Sequence, residues 1–170
     1  NGQFVAYSSR AQNIVISDTD PYTEDIFVYD VINDLTVQLT PYPGGQANDD
    51  SFDPDLSGNG EEIAFTSYAD NWMFNVDYNQ QTDVYATIYY ENPEEMADGQ
   101  GGNSYVYLVS HVIDDGYMFS ADNASYEPAV SLNGRYVAFT SLATNFIFTD
   151  TNNTSDIYVR DLHTGAIERV

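Results

Sequence analysis

The chain has 170 residues, 42% hydrophobic and 15% aromatic, enough for one domain with a good core and unlike a disordered segment. Twenty-seven acids face four Arg and no Lys, a formal charge of −23, which leaves no basic face for phosphate contacts and excludes nucleic acid as a partner. The absence of Cys removes a disulfide frame, a thiolate metal site and a Cys nucleophile, and the sequence predicts no transmembrane helix because no apolar run is long enough.

Taken in chain order, the sequence predicts short strands separated by turn formers. The first is "QFVAYSS" at 3–9, behind an Asn-Gly dipeptide at Asn1-Gly2. A loop of roughly a dozen residues, by count, leads to "DIFVYD" at 25–30, and "TVQLT" follows at 36–40. The next strand, "SFDPDLS" at 51–57, contains Pro54, which places it at a sheet edge or bonded on one side only. Asn59-Gly60 then suggests a tight two-residue hairpin into "EEIAFTS" at 61–67. "DVYATI" at 83–88 and "SYVYLVS" at 104–110 continue the series, separated by the acidic, turn-rich insertion 91–103 that reads as a surface loop. The last strands are "SYEPAVS" (125–131), "RYVAFTS" (135–141), "DIYVRD" (156–161) and "AIERV" (166–170).

These strands recur. A shift of 74 residues aligns Ser51–Asn71 with Ser125–Asn145 without a gap, at 11 identities in 21 positions. Asn1–Asp20 aligns with Asn133–Asn152 at 9 identities in 20. Ala6, Ala64 and Ala138 fall in one column, as though a neighbouring sheet came too close for a larger side chain. Val137 and Phe139 alternate with Tyr136 and Ala138, so both faces of this strand are expected to be buried.

The pattern predicts an all-β fold of four-stranded antiparallel propeller-type blades, just under three in this chain. One repeat domain spans 1–170: blade 1 at 1–45 without its first strand, blade 2 at 46–120 with the insertion, and blade 3 at 121–170. In blade 3 the phrase stands as Pro128-Ala129-Val130-Ser131, Gly134, Val137-Ala138-Phe139-Thr140-Ser141, Asp156-Ile157-Tyr158-Val159-Arg160-Asp161 and Thr164-Gly165. It resembles the WD40-like (PD40) repeats of TolB-type β-propellers. The resemblance implies a propeller fold, and it is strong for fold and weak for function.

The loop after the second strand of each blade carries a recurring acidic set: Asp18, Asp20 and Asp25; Asp77, Asn79 and Asp83; Asp150, Asn152 and Asp156. Two oxygen-bearing side chains at i and i+2 with a third carboxylate further on can converge on a hard cation such as Ca²⁺. The same residues also recur in repeated loops as Asx turns, with no metal at all. No nucleophile-elbow motif surrounds Ser8, Ser9, Ser67 or Ser141, and His111 and His163 lie in unrelated contexts, so no catalytic set is expected. Trp72 with Met73 and Phe74, like Ile14-Val15-Ile16 and Phe146-Ile147-Phe148, reads as core or blade packing.

The expected function is a non-catalytic, extracytoplasmic binding or assembly module whose partner is another protein or copies of itself. Two alternatives stand beside it: a self-assembling filament or ring subunit that completes blades between chains, and the propeller of a prolyl-oligopeptidase-type peptidase whose catalytic domain lies elsewhere. The −23 charge fits a secreted protein of saline surroundings, with Ca²⁺ as the only cofactor expected.

Overall fold

The structure, a computed structural model, describes residues 2–16, 18, 20–39, 45–73, 76–89, 103–147, 152 and 154–170. Its strands are β1 (Phe4–Ser9), β2 (Asp25–Asp30), β3 (Leu35–Gln38), β4 (Ser51–Leu56), β5 (Glu62–Ser67), β6 (Asp83–Tyr89), β7 (Asn103–Leu108), β8 (His111–Asp114), β9 (Tyr117–Ser120), β10 (Ser125–Val130), β11 (Tyr136–Ser141), β12 (Asp156–Asp161) and β13 (Ile167–Arg169). The described residues contain no helix.

The strands form three antiparallel meanders and a hairpin. Blade 1 is β1-β2-β3, blade 2 is β4-β5-β6-β7, blade 3 is β10-β11-β12-β13, and β8 pairs with β9 alone. Blade 1 thus has three strands and the others four. The insertion 91–103 lies outside the described residues except for Asn103, which opens β7.

The proline strands β4 and β10 are edge strands of their sheets, as the ladder chemistry of Pro54 and Pro128 requires. Each also breaks register at the same place, between Phe52 and Asp55 and between Tyr126 and Ala129. The bulge residues Asp53 and Glu127 take positive φ values of 51° and 53°.

Three expectations need correction. The Asn-Gly turn is not a two-residue hairpin: the amide of Ser57 donates to Glu62 O at 2.8 Å, so four residues lie between the closing pair. Side-chain chemistry accounts for the extra length. Ser57 Oγ donates to Asn59 Oδ1 at 2.6 Å and accepts from the Glu62 amide at 2.9 Å, with Gly60 at φ +79°. The turn at Ser131, Asn133 and Tyr136 repeats these bonds at 2.8 and 2.9 Å. Second, the fourth strand of blade 2 is Asn103–Leu108 rather than 104–110, because the chain turns away at Val109-Ser110 into the unforeseen β8–β9 hairpin. Asp115 (φ 49°) and Gly116 (φ 83°) supply the two positive-φ residues of its two-residue turn.

Third, burial on both faces holds for the middle blade only. Ile63, Ala64, Phe65 and Thr66 are fully buried, whereas Val5 is 48% and Tyr136 is 38% exposed. The two faces of blade 2 feed two cores. Ile63, Phe65, Trp72, Tyr85 and Leu108 pack with Phe4, Ile26, Val28 and Leu39 of blade 1. Ala64, Val84, Ala86 and Val109 pack with Val137, Phe139 and Tyr158 of blade 3. Blades 2 and 3 therefore each set a large aromatic face on the blade before, and Ala64 is small because Val137 and Phe139 lie against its sheet.

Inside blades 2 and 3 a loop residue caps the aromatic pair of the two central strands, whereas in blade 1 Ile16 of the equivalent loop is fully exposed and does not pack. Phe65, Trp72 and Tyr85 form one trio, with centroids 4.7 to 6.2 Å apart. Phe139, Phe146 and Tyr158 form the equivalent trio at 4.8 to 6.0 Å. Trp72 is 2% exposed and its Nε1 donates to Ser67 Oγ at 2.9 Å, so this aromatic is structural.

Candidate functional site

Among the described residues chemistry gathers in the cleft between blades 2 and 3 and in the acidic loops after the second strand of each repeat.

The cleft follows from one column of the repeat. Phe4, Glu62 and Tyr136 occupy equivalent positions in β1, β5 and β11, at the rim of the face that receives the next blade. In blade 1 the Phe4 ring fills that rim, so close under Gly60 that a Cβ on Gly60 would meet Phe4 Cδ2 at 2.2 Å. In blade 2 the position is Glu62, and the equivalent glycine, Gly134, lies 3.1 Å by its missing Cβ from Glu62 Cβ. A carboxylate cannot replace an aromatic ring as filling. A cleft of 390 Å³ opens there, with Ile88, Tyr107 and Leu162 as its apolar part and Asn59, Glu61, Glu62, Asn133, Arg135 and His163 as its polar part.

Burial pushes the Glu62 carboxyl up to about 7, and the neighbouring charge of Glu61 adds to the shift. Arg135 is held by Asp161 through a fork, Nε at 3.1 Å from Oδ1 and Nη2 at 2.7 Å from Oδ2, and its guanidinium stands 5.0 Å from the Tyr136 ring centroid. The cleft thus offers an acidic pair at one side, a paired guanidinium at the other and an apolar floor. Sequence reading passed over Glu62, although a charged residue in an otherwise aromatic column was the available signal.

At its other boundary blade 3 is tied to blade 2 by a buried cation. Arg160 is 4% exposed, and it donates from Nε to Val109 O at 3.1 Å, from Nη1 to Gly165 O at 2.6 Å and from Nη2 to His111 O. Burial lowers it to about 10 and, with the Arg160 charge as second cause, holds His111 down to about 4. The histidine is therefore a neutral hydrogen-bonding group, its Nδ1 against Leu108 O.

The acidic loops differ from blade to blade. In blade 2, Asp83 is completely buried; Oδ1 accepts from Ser110 Oγ at 2.5 Å and Oδ2 from Asn79 Nδ2 at 3.1 Å. Asp77 Oδ2 accepts from Tyr85 Oη at 3.1 Å. Burial raises Asp83 to about 8, with Asp77 adding to the shift, and burial raises Asp77 as well. In blade 3, Asn152 Nδ2 donates to Asp156 Oδ1 at 3.2 Å and Arg169 Nη1 to Asp156 Oδ2 at 3.2 Å. Asp150 lies outside the described residues.

In blade 1, Asp18 Oδ1 accepts from Gln46 Nε2 at 3.2 Å and Asp20 Oδ1 from the Tyr22 amide at 2.9 Å. Asp25 is 2% exposed, and its Oδ2 has no partner. Among the described residues no three acids or histidines converge closely enough to enclose a metal by themselves.

The serines are structural. Ser51 and Ser67 share a bond at 2.8 Å, as Ser125 and Ser141 do at 2.9 Å, and Ser67 and Ser141 each accept an amide two residues on at 3.0 Å. Ser8 donates to Glu24 Oε1 at 2.5 Å, and Ser9 Oγ accepts the Ala11 amide at 3.1 Å.

No family model and no curated protein match the chain. Among solved structures, TolB from Agrobacterium tumefaciens aligns with 99% of this chain at a TM-score of 0.52 and 19% identity, and the tricorn protease with 98% at 0.49 and 13%. The chain spans 45% of the TolB chain and 17% of the tricorn chain. The TolB alignment shows the fold: β-propeller blades of TolB type, about three of them.

Proposed function

With a TolB-like propeller fold as the premise, we propose that the chain is a non-catalytic, extracytoplasmic binding module, and that the interblade cleft at Glu62 receives a protein segment carrying a basic side chain next to an apolar one. The observation that supports this most is the replacement of rim filling by a half-buried carboxylate, which costs packing and leaves an acidic opening over Ile88 and Leu162. A cationic group there would meet the Glu61–Glu62 pair, and its apolar neighbour the floor. An acidic surface favours the same class of partner at long range.

The test is retention of arrayed peptides by the purified chain. Retained peptides are expected to pair Lys or Arg with an apolar residue, and both Glu62→Gln and the cleft-filling Leu162→Arg should lower retention at least about fivefold. Retention unchanged in both variants, or hydrolysis of a peptide that is lost on mutating one blade residue, would overturn the proposal.

A second reading, assembly between copies, draws on the polarity of the blade faces. Val5 on blade 1 belongs to the column of Ile63 and Val137, which insert into the preceding blade, and it is 48% exposed. Ile157 on blade 3 belongs to the column of Ile26 and Val84, which receive the following blade, and it is 52% exposed. The two outer faces therefore complement each other head to tail. Light scattering at high concentration should then show mass growth that Ile157→Glu abolishes; a monomer at every concentration would refute it.

A further inference from the structure

The three acidic loops are equivalent in sequence, yet among the described residues only blade 1 leaves an oxygen of its strand-end carboxylate, Asp25 Oδ2, buried without a donor. In blade 2 the strand-end Asp83 is served by the Asn79 amide, and Asp77 by the Tyr85 hydroxyl. In blade 3 Asp156 is served by the Asn152 amide and by Arg169. Blade 1 has Asp20 where the others have Asn, and Phe27 where blade 2 has Tyr85. The turn itself is the same: Asn79 Oδ1 and Asn152 Oδ1 accept the amides two residues on, at 2.7 and 3.0 Å, and Asp20 Oδ1 accepts the Tyr22 amide at 2.9 Å. The second Asp20 oxygen is therefore the counterpart of the amide nitrogen that serves the strand-end carboxylate in the other blades.

The same blade holds further orphans. Asp25 Oδ2, Gln38 Oε1, Gln38 Nε2 and Thr23 Oγ1 are all buried without a hydrogen-bond partner. Gln38 is 4% and Asp25 2% exposed. Gln38 pairs with Phe27 in the ladder, the register position that Arg169 occupies opposite Tyr158 in blade 3. An uncharged amide thus takes the place of the cation that blade 3 sets beside its Asp. Arg10, the basic residue of this blade, is bound instead to Asp50 at 2.5 Å and Glu24 at 3.5 Å. Asp25 is buried among the charges of Asp18 and Asp20 with only the Gln38 amide near it to offset them, and burial and these charges push its carboxyl up to about 6, a costly arrangement without a cation.

We propose that the blade 1 loop holds one Ca²⁺-class divalent cation between Asp20 and Asp25. Two carboxylates balance the charge, since among the described residues no third acid converges closely enough to share the ion. The Gln38 amide oxygen, the Thr23 hydroxyl and water complete an oxygen shell of the kind Ca²⁺ takes. Asp18, bonded to Gln46, adds a further negative charge that acts on Asp25 more strongly than Asp20 does. The cation does for blade 1 what Asn79 and Ser110 do for blade 2 and Asn152 and Arg169 for blade 3.

Thermal unfolding of the whole chain in CaCl₂, in chelator and in MgCl₂ at constant ionic strength tests this, with Tb³⁺ luminescence as a direct binding readout. Millimolar Ca²⁺ should raise the wild-type Tm by roughly 5 °C, and one Tb³⁺ should bind per chain and be displaced by Ca²⁺. Asp20→Asn restores the residue of the other blades, so it should fold, lose the Ca²⁺ response and be at least as stable in chelator as the wild type. Asp25→Asn should also lose Tb³⁺ binding, and if it fails to fold the Asp20→Asn result decides. An equal wild-type Tm in Ca²⁺ and chelator, with stability gained only on acidification, would mean that the carboxylates share a proton and would overturn the proposal. So would an undiminished Ca²⁺ response in Asp20→Asn, which would mark general screening of the acidic surface.

Discussion

Arg160 Nε donates to the carbonyl oxygen of Val109 at 3.1 Å, so a guanidinium rooted in blade 3 closes the end of blade 2. Arg160→Met keeps most of the stem volume but orphans three carbonyls, and hydrogen bonds to a charged group are worth about 1.5–3 kcal/mol each, with partial loss to water. A net destabilisation of about 3 kcal/mol is expected in urea unfolding. Arg160→Lys should recover less than half, because one ammonium cannot reproduce the fork. A loss below about 0.5 kcal/mol for Arg160→Met would show that the clamp is idle.

The aromatic trios give a second expectation. Trp72 packs at a tilt against Phe65 and Tyr85, and blade 3 places Phe146 at the same position. Trp72→Phe should therefore cost only about 1–2 kcal/mol, including the lost bond to Ser67, whereas Trp72→Ala should cost about 3–5 kcal/mol. Comparable losses in the two variants, by denaturant midpoint, would contradict the packing described.

Gly60 and Gly116 share a left-handed backbone, at φ +79° and +83°, but differ in surroundings. Nothing lies within 4 Å of a Cβ at Gly116, while one at Gly60 would strike the Phe4 ring. Gly116→Ala should cost about 1–2 kcal/mol of backbone strain alone. Gly60→Ala should cost more, and Phe4→Leu should relieve part of the excess in a double-mutant cycle; additivity would rule out the contact.

Two partly buried groups set opposite pH trends. Glu62 has its folded pKa at about 7, above the ordinary 4.5, so between these values the native state binds more protons and stability falls as pH rises. His111, at about 4 against 6.5, binds fewer protons when folded, so its contribution is lost as pH falls from 6.5 towards 4. Glu61, Arg135 and His163 line the Glu62 cleft, and Arg160 faces His111. Glu62→Gln should gain on the wild type between pH 5 and pH 8, by well under about 1.4 kcal/mol per pH unit because the carboxyl is only half buried. An unchanged difference at the two pH values would show that Glu62 titrates normally.

Much of the architecture was legible because the repeat speaks three times. Pro54 and Pro128 announced edge strands, the Ala column announced close sheets, and the Asp-aromatic strands 25–30 and 156–161 fall where their pattern placed them. What escaped was chemistry that departs from the repeat. The Asp115-Gly116 hairpin has no sister copy, and the serine and asparagine side chains that lengthen the 57–62 turn outweigh the Asn-Gly preference. Glu62 and Asp20 carry their meaning only as exceptions to a column, visible in sequence once the columns are known but interpretable only when the neighbouring blade is in place.

The one-way packing of the blades has an evolutionary consequence. Every blade presents an inserting face and a receiving face, and the Ser51 and Ser125 amides reach back to Glu24 and Thr82 of the previous blade by the same backbone bond, at 2.7 and 2.8 Å. Duplicating one blade's coding segment would therefore add one ready-made junction and leave the existing ones intact. Blade number in such a lineage can drift by whole units without redesign, while novelty gathers in single columns such as that of Phe4, Glu62 and Tyr136.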